Sequence, residues 1–148
     1  MKLLCDEMLK GLGRWLRTAG YDVEMEPDGT ADRQLIQRAL LEGRLLLTRD
    51  RDLLEIRHAV RVVVLLEGNG LESCAREITL KLGIDWLLDP FSRCSLCNTL
   101  LIETERPADF PPDIEQAYLC PTCDKYYWHG GHVERMQLRL EQWQAMFG

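Results

Sequence analysis

The sequence has no apolar run approaching the roughly 18 residues needed to cross a bilayer. It also lacks an apolar leader. The N-terminus, MKLLCDEMLKGLGRWL, places Asp6 and Glu7 where a secretion signal needs its hydrophobic stretch. A membrane partner is therefore not expected, and a cytoplasmic location is the default expectation. Positive charge is not in excess: 24 acidic against 18 basic residues give a net charge of −6. That argues against a wholly cationic, nonspecific nucleic-acid binder. It leaves a nuclease open, because acidic metal ligands lower the formal charge while a local basic stripe still holds phosphates. Internal repeats and low-complexity segments are absent.

The 148 residues, 46% hydrophobic and 28% charged, suit one ordinary domain or a small domain plus a module. Residues 1–90 alternate strand-like and helix-like segments. Strands are expected at Lys2–Cys5, Tyr21–Met25, Leu45–Thr48 and Val60–Leu66, the last being rich in β-branched residues. Helices are expected at Met8–Ala19, closed by Gly20, from a cap at Asp28 or Thr30 to Leu41, and at Leu71–Leu82. This alternation implies an α/β fold with a central parallel sheet. The composition changes near Leu88–Arg93. Residues 91–148 then carry two CxxC pairs and four of the six prolines, and end in a helix with Met136, Leu140, Trp143 and Phe147 on one face.

The apolar run Leu45–Leu54, LLLTRDRDLL, ends in Asp50 and Asp52. In an open parallel sheet, functional residues lie beyond the carboxyl ends of the strands, where strand order reverses. Asp6 follows the first strand and Asp50 and Asp52 the third, while Asp32 starts the second helix. If the first strand is central, these four converge. Clustered carboxylates repel one another, and Mg²⁺ or Mn²⁺ relieves that conflict while activating water. The plain alternative is that each aspartate is a turn or helix cap; Glu7 reads as a first-turn surface residue rather than a ligand.

Lys10, Arg14 and Arg17 recur at helical spacing, and Arg49 and Arg51 flank Asp50. They are candidate phosphate contacts or simply a solvated face. Trp15 reads as core. Cys94, Cys97, Cys120 and Cys123 form CxxC–x22–CxxC, two tight turns aiming four thiolates at one ion. Zn²⁺ in a closed, structural site is expected. His129 and His132 are possible substitutes for a cysteine, but four thiolates suffice. Cys5 and Cys74 read as small core residues. Tyr126, Tyr127 and Trp128 are expected to pack the cysteine module against the first domain, with stacking on bases as the alternative.

Taken together, LLCDEMLKGLGRWLRTAGYDV, TADRQLIQRALLEGRLLLTRDRDLL, FSRCSLCN and CPTCDKYYWHGGH resemble the Mut-seven C-terminal RNase family, in order and over nearly the whole chain. The resemblance implies a PIN-like nuclease domain over residues 1–90, followed by a zinc ribbon and C-terminal helix over 91–148. It implies metal-dependent RNA cleavage with acidic positions at Asp6, Asp32, Asp50 and Asp52, and ribbon ligands at Cys94, Cys97, Cys120 and Cys123. Three other readings compete: a non-catalytic RNA-binding adaptor, a toxin-like nuclease held by an inhibitory protein partner, and an aspartyl phosphatase. The last expects its DxD after the first strand, whereas Asp50-Arg51-Asp52 follows the third.

Overall fold

The computed structural model describes residues 1–148. Four short strands, β1 (Lys2–Cys5), β2 (Asp22–Met25), β3 (Leu45–Thr48) and β4 (Val63–Leu65), form one parallel sheet in the order β2-β1-β3-β4. The chain runs from β1 out to the edge strand β2, then crosses back over β1 to β3. Strand order therefore reverses at β1, the topology that creates a crevice at the carboxyl ends.

Helices cover both faces, which is why β1, β3 and β4 are nearly continuous apolar runs, whereas the edge strand β2, DVEM, alternates. Successive strand residues point to opposite sides. Leu3, Cys5 and Leu47 meet α1 (Lys10–Thr18), α3 (Leu71–Leu82) and α4 (Gly131–Phe147) through Leu12, Leu16, Ile78, Leu140 and Trp143. Leu4 and Leu46 meet α2 (Asp32–Glu42) through Leu35, Ile36 and Ala39. Gly13 lets α1 lie close to the sheet, since a Cβ there would sit 3.3 Å from Cys5 Sγ and 3.0 Å from Met25 Sδ.

Several boundaries differ from the sequence expectation, each for a local reason. A single 3₁₀ turn, Glu7–Leu9, precedes α1, because the Asp6 carboxylate accepts from the Met8 N–H and tightens the first turn. Neither Asp28 nor Thr30 caps α2. The Thr30 hydroxyl donates back to the Pro27 carbonyl at 2.7 Å, and Asp28 pairs with Lys10. Of Val60–Leu66 only Val63–Leu65 is strand, because β4 pairs only as far as the four residues of β3 reach. Ala59–Arg61 instead forms a 3₁₀ turn after His58, which adopts a left-handed φ of 68°.

Beyond Pro90 the chain makes an antiparallel sheet of β5 (Ile102–Thr104), β6 (Ala117–Cys120) and β7 (Lys125–Trp128). It is fastened to the first sheet at the exposed edge of β2. The Val23 N–H donates to Asn98 Oδ1 at 3.0 Å, and the Val23 carbonyl accepts from Arg17 Nε at 2.7 Å. Arg17 Nη1 also donates to the Ser95 carbonyl at 3.1 Å. These side chains satisfy the backbone groups that an open strand edge leaves unpaired. The expectation that Arg17 shares a solvent-facing stripe with Lys10 and Arg14 is thereby corrected: Arg17 is 3% exposed and bridges the two sheets.

The last helix then returns to the first core. Trp143 packs against Trp86 at 4.8 Å and Trp15 at 5.4 Å, and Gln144 Oε1 accepts from the Trp86 N–H at 2.8 Å. Trp143→Ala is expected to cost about 3–5 kcal/mol. Thermal melts followed by circular dichroism will show one transition at a lower temperature. An unchanged melting temperature would mean that α4 lies on the core without supporting it.

Candidate active site and metal centre

The register decides which side chains meet at the sheet's carboxyl edge. Cys5 stands opposite Leu47 and also opposite Met25, so the next residues, Asp6, Thr48 and Glu26, emerge side by side. Thr48 Oγ1 donates to Asp6 Oδ2 at 2.6 Å and accepts from the Asp50 N–H at 3.0 Å. Asp50 Oδ1 in turn accepts from the Asp52 N–H at 2.9 Å and opens the 3₁₀ turn Arg51–Glu55. Asp6, Asp32 and Asp50 line one cleft of about 80 Å³, together with Glu7, Glu26 and Thr30.

Asp52 does not line this cleft. It is exposed, and it contributes its backbone N–H rather than its carboxylate. Thr48 and Glu26 are additions the sequence reading missed, while Glu7, read from the sequence as a first-turn surface residue, is exposed in its 3₁₀ turn and also lines the cleft. A polar residue closing the apolar run LLLT was a usable signal for Thr48, and the rule applied to Asp6, first residue past a strand, also finds Glu26.

The carboxylates are not equivalent. Glu26 is neutralised by Arg38 Nη1 at 2.9 Å, and Glu7 accepts from the Gly29 N–H at 3.1 Å. None of the eight ion pairs in the chain includes Asp6, Asp32, Asp50 or Asp52. Asp6 is 7% exposed. Its burial raises the carboxyl above its ordinary range, the hydrogen bonds from Thr48 and Met8 oppose this, and the charges of Asp50 and Glu7 raise it further. A buried carboxylate without a cationic partner, facing two more, is a donor set of hard oxygens suited to a divalent cation. Its oxygen atoms do not converge as a group of three within direct ligand spacing, unlike the cysteines.

Among the basic candidates, Lys10 pairs with Asp28 and Arg51 with Glu67. Arg14 and Arg49 are exposed and belong to no ion pair.

Cys94, Cys97, Cys120 and Cys123 bring their sulfurs within 4.8 Å of one another. Cys97 and Cys120 are 3.4 Å apart and Cys94 and Cys123 4.0 Å. These separations bracket the edge of a tetrahedron with metal–sulfur bonds of about 2.3 Å, about 3.8 Å. Burial opposes ionisation of Cys97, but Thr99 and the neighbouring thiols outweigh it and bring the group to about 6. The other thiols hydrogen-bond that charge: Cys123 is pushed up to about 12 by Cys97 first, and Cys120 is raised by burial first. A divalent cation at the centre of the four sulfurs would favour the thiolate form of each. Tyr127 OH lies 3.0 Å from Cys94 Sγ. His129 lies outside the cluster, stacked on Tyr118 at 5.3 Å. Tyr126 and Trp128 pack on Phe110 at 5.7 and 5.0 Å, within the appended unit, rather than on the first sheet. Cys5 and Cys74 are buried in the core as expected.

Residues 1–140 match the Mut7-C RNAse domain family. The chain belongs to this family. A human protein, "Exonuclease mut-7 homolog", is 31% identical over 101 residues, covering 66% of this chain and 12% of that protein. The chain thus spans about an eighth of the relative's length. No solved structure matches it. The family is described as an RNAse domain; in this chain it is built on the parallel α/β sheet and accompanied by four clustered cysteines that could hold a metal ion. No helix is long and apolar enough to cross a membrane.

Two outcomes follow from the charges. Protein purified without added metal is expected to carry one zinc ion per chain by elemental analysis, and Cys120→Ser to lose it. A stoichiometry near zero in wild type would remove the metal reading of the cysteines. For Asp6, a folded pKa above the unfolded one means that its contribution to stability is present at low pH and lost as pH rises through the folded value. In metal-free protein, the melting temperature of Asp6→Asn relative to wild type should therefore be more positive at pH 7 than at pH 4. A difference independent of pH would show that the buried carboxylate is not strained.

Proposed function

We propose that the chain is a metal-dependent ribonuclease that hydrolyses RNA phosphodiester bonds at the carboxylate cleft. The observation that carries this reading is the unpaired, buried Asp6 facing Asp50 and Asp32 at the strand-order reversal. Asp6 and Asp50 would hold Mg²⁺ or Mn²⁺, with Asp32 completing the site from the start of α2 and Asp52 acting from its rim. A bound cation supplies an activated water and charge neutralisation at the phosphate.

The chain's own groups do the rest. Thr48 fixes Asp6 and the Asp50 backbone through one hydroxyl, so the two carboxylates keep a constant relation. Arg49 and Arg14 carry free positive charge for phosphate oxygens, and Lys10 and Arg51 reach them on leaving Asp28 and Glu67. Arg17 has no such role, because it is committed to Val23 and Ser95. Residues 1–90 would form the nuclease domain and 91–148 a zinc ribbon with its helix, the ribbon being structural or touching RNA. The intact set of unpaired aspartates favours an enzyme over a non-catalytic adaptor, which has no use for them. An inhibitory protein partner has no observation in its support.

The test is cleavage of single-stranded RNA with Mn²⁺ or Mg²⁺. Asp6→Asn and Asp50→Asn are each expected to reduce the rate at least about 100-fold while the fold and zinc content persist. EDTA should abolish cleavage and added Mn²⁺ restore it. Cleavage that survives both EDTA and Asp50→Asn would overturn this mechanism.

A further inference from the structure

We propose that a second cavity, between the cysteine-bearing unit and α4, binds a base and phosphate of single-stranded RNA. This inference rests on the ribonuclease reading above and gives the substrate a contact outside the carboxylate cleft.

The cavity measures about 370 Å³, within the roughly 300–1,000 Å³ typical of small-ligand sites. It shares no lining residue with the carboxylate cleft. Its charge is the reverse of that cleft. Arg93, Lys125, His129 and His132 line it, and no aspartate or glutamate does, in a chain that carries 24 of them. An anionic ligand is the complement of such a wall.

Aromatic rings supply the other half of the argument. Trp128 is 43% exposed and Tyr126 37%, whereas Trp86 and Trp143 are buried. Phe110 packs edge-on against both exposed rings, which restrains their orientation without covering them. His129 lies nearly parallel to Tyr118, with 20° between the ring planes. Lys125 Nζ sits 5.4 Å from the Tyr127 ring centre. Aromatic rings and cations lining one cavity, without competing carboxylates, form the pattern that binds single strands through stacking and phosphate contact. A peptide has a use for the apolar rings, but it gains nothing from Arg93 and Lys125 unless it is acidic. The chemistry that uses both is a nucleotide.

The experiment uses the full-length zinc-loaded chain carrying Asp50→Asn, so that RNA is bound without being cut. Anisotropy of a labelled ten-residue oligouridylate should report affinity about tenfold weaker for Trp128→Ala and for Tyr126→Ala, with Trp128→Phe close to the parent. Lys125→Ala should flatten the salt dependence by about one ion. Uridine monophosphate should quench tryptophan emission in the parent, and this quenching should vanish in Trp128→Phe. Zinc content and melting temperature identify any variant that fails to fold, and Trp128→Phe and Lys125→Ala test the proposal with little loss of packing. Parent-like affinity and salt slope in every folded variant, with no quenching by the nucleotide, would overturn it and leave the cavity to a protein segment. Wild-type protein that binds RNA through these residues but never cuts it would sink the ribonuclease reading and leave this cavity standing.

Discussion

The pairing of β1 with β3 is the constraint on which the carboxylate cleft depends. Cys5 opposite Leu47 makes Asp6 and Thr48 neighbours at the carboxyl edge. A slip of one residue would turn every side chain to the other face and carry Asp6 out of the cleft. Apolar burial favours this register, since Leu3, Leu4, Leu46 and Leu47 are wholly buried on two different faces. Burial of leucine thus positions one carboxylate, Asp6, whose own desolvation opposes folding. Thr48 converts this placement into a fixed distance, because one hydroxyl serves both Asp6 and the Asp50 backbone.

A second dependence joins the two sheets. Val23 presents its N–H and carbonyl outward from the edge strand, and Asn98 and Arg17 take them up. Asn98 also donates to Asp22 at 2.7 Å and Glu24 at 3.1 Å, and it adopts a left-handed φ of 76° between two metal-ligand turns. The cysteine loop is therefore shaped on one side by its sulfurs and on the other by the edge of the parallel sheet. Arg93 adds bonds to the Gly20 and Asn98 carbonyls. Gly20 is required at that seam: its φ is +108°, and a Cβ there would lie 2.7 Å from the Asp89 carbonyl oxygen.

The parallel sheet, the helix α3 and the cysteine cluster were legible because each rests on a repeating or closely spaced pattern: apolar runs, helical periodicity, paired CxxC. That Asp6 and Asp50 share a cleft was legible through the topology rule for strand ends, and that Asp32 joins them was legible from its place at the start of α2 on the same edge. What escaped was anything set by contact between distant segments. Arg17 fits a basic helical face by spacing, yet the open edge of β2 claims its guanidinium. Asp52 repeats the chemistry of Asp50 in sequence, but the turn that Asp50 initiates leaves its carboxylate outside the cleft. Asp28 and Thr30 have the chemistry of helix caps and are drawn instead to Lys10 and Pro27. Thr48 and Glu26 had a signal in the sequence, but the strand register is what sets them beside Asp6.

The return of α4 to the first core has a consequence for the order of assembly. Trp143 touches Trp15 and Trp86 across more than a hundred and more than fifty residues of chain respectively. During synthesis the sheet and its first three helices are made before the helix that completes their apolar covering. Until then Trp15 and Trp86 present sticky surface to the cell, and long-range closure of this kind is slow compared with local helix formation. The nascent protein is thus most exposed to aggregation in the interval before α4 has emerged and packed on Trp15 and Trp86.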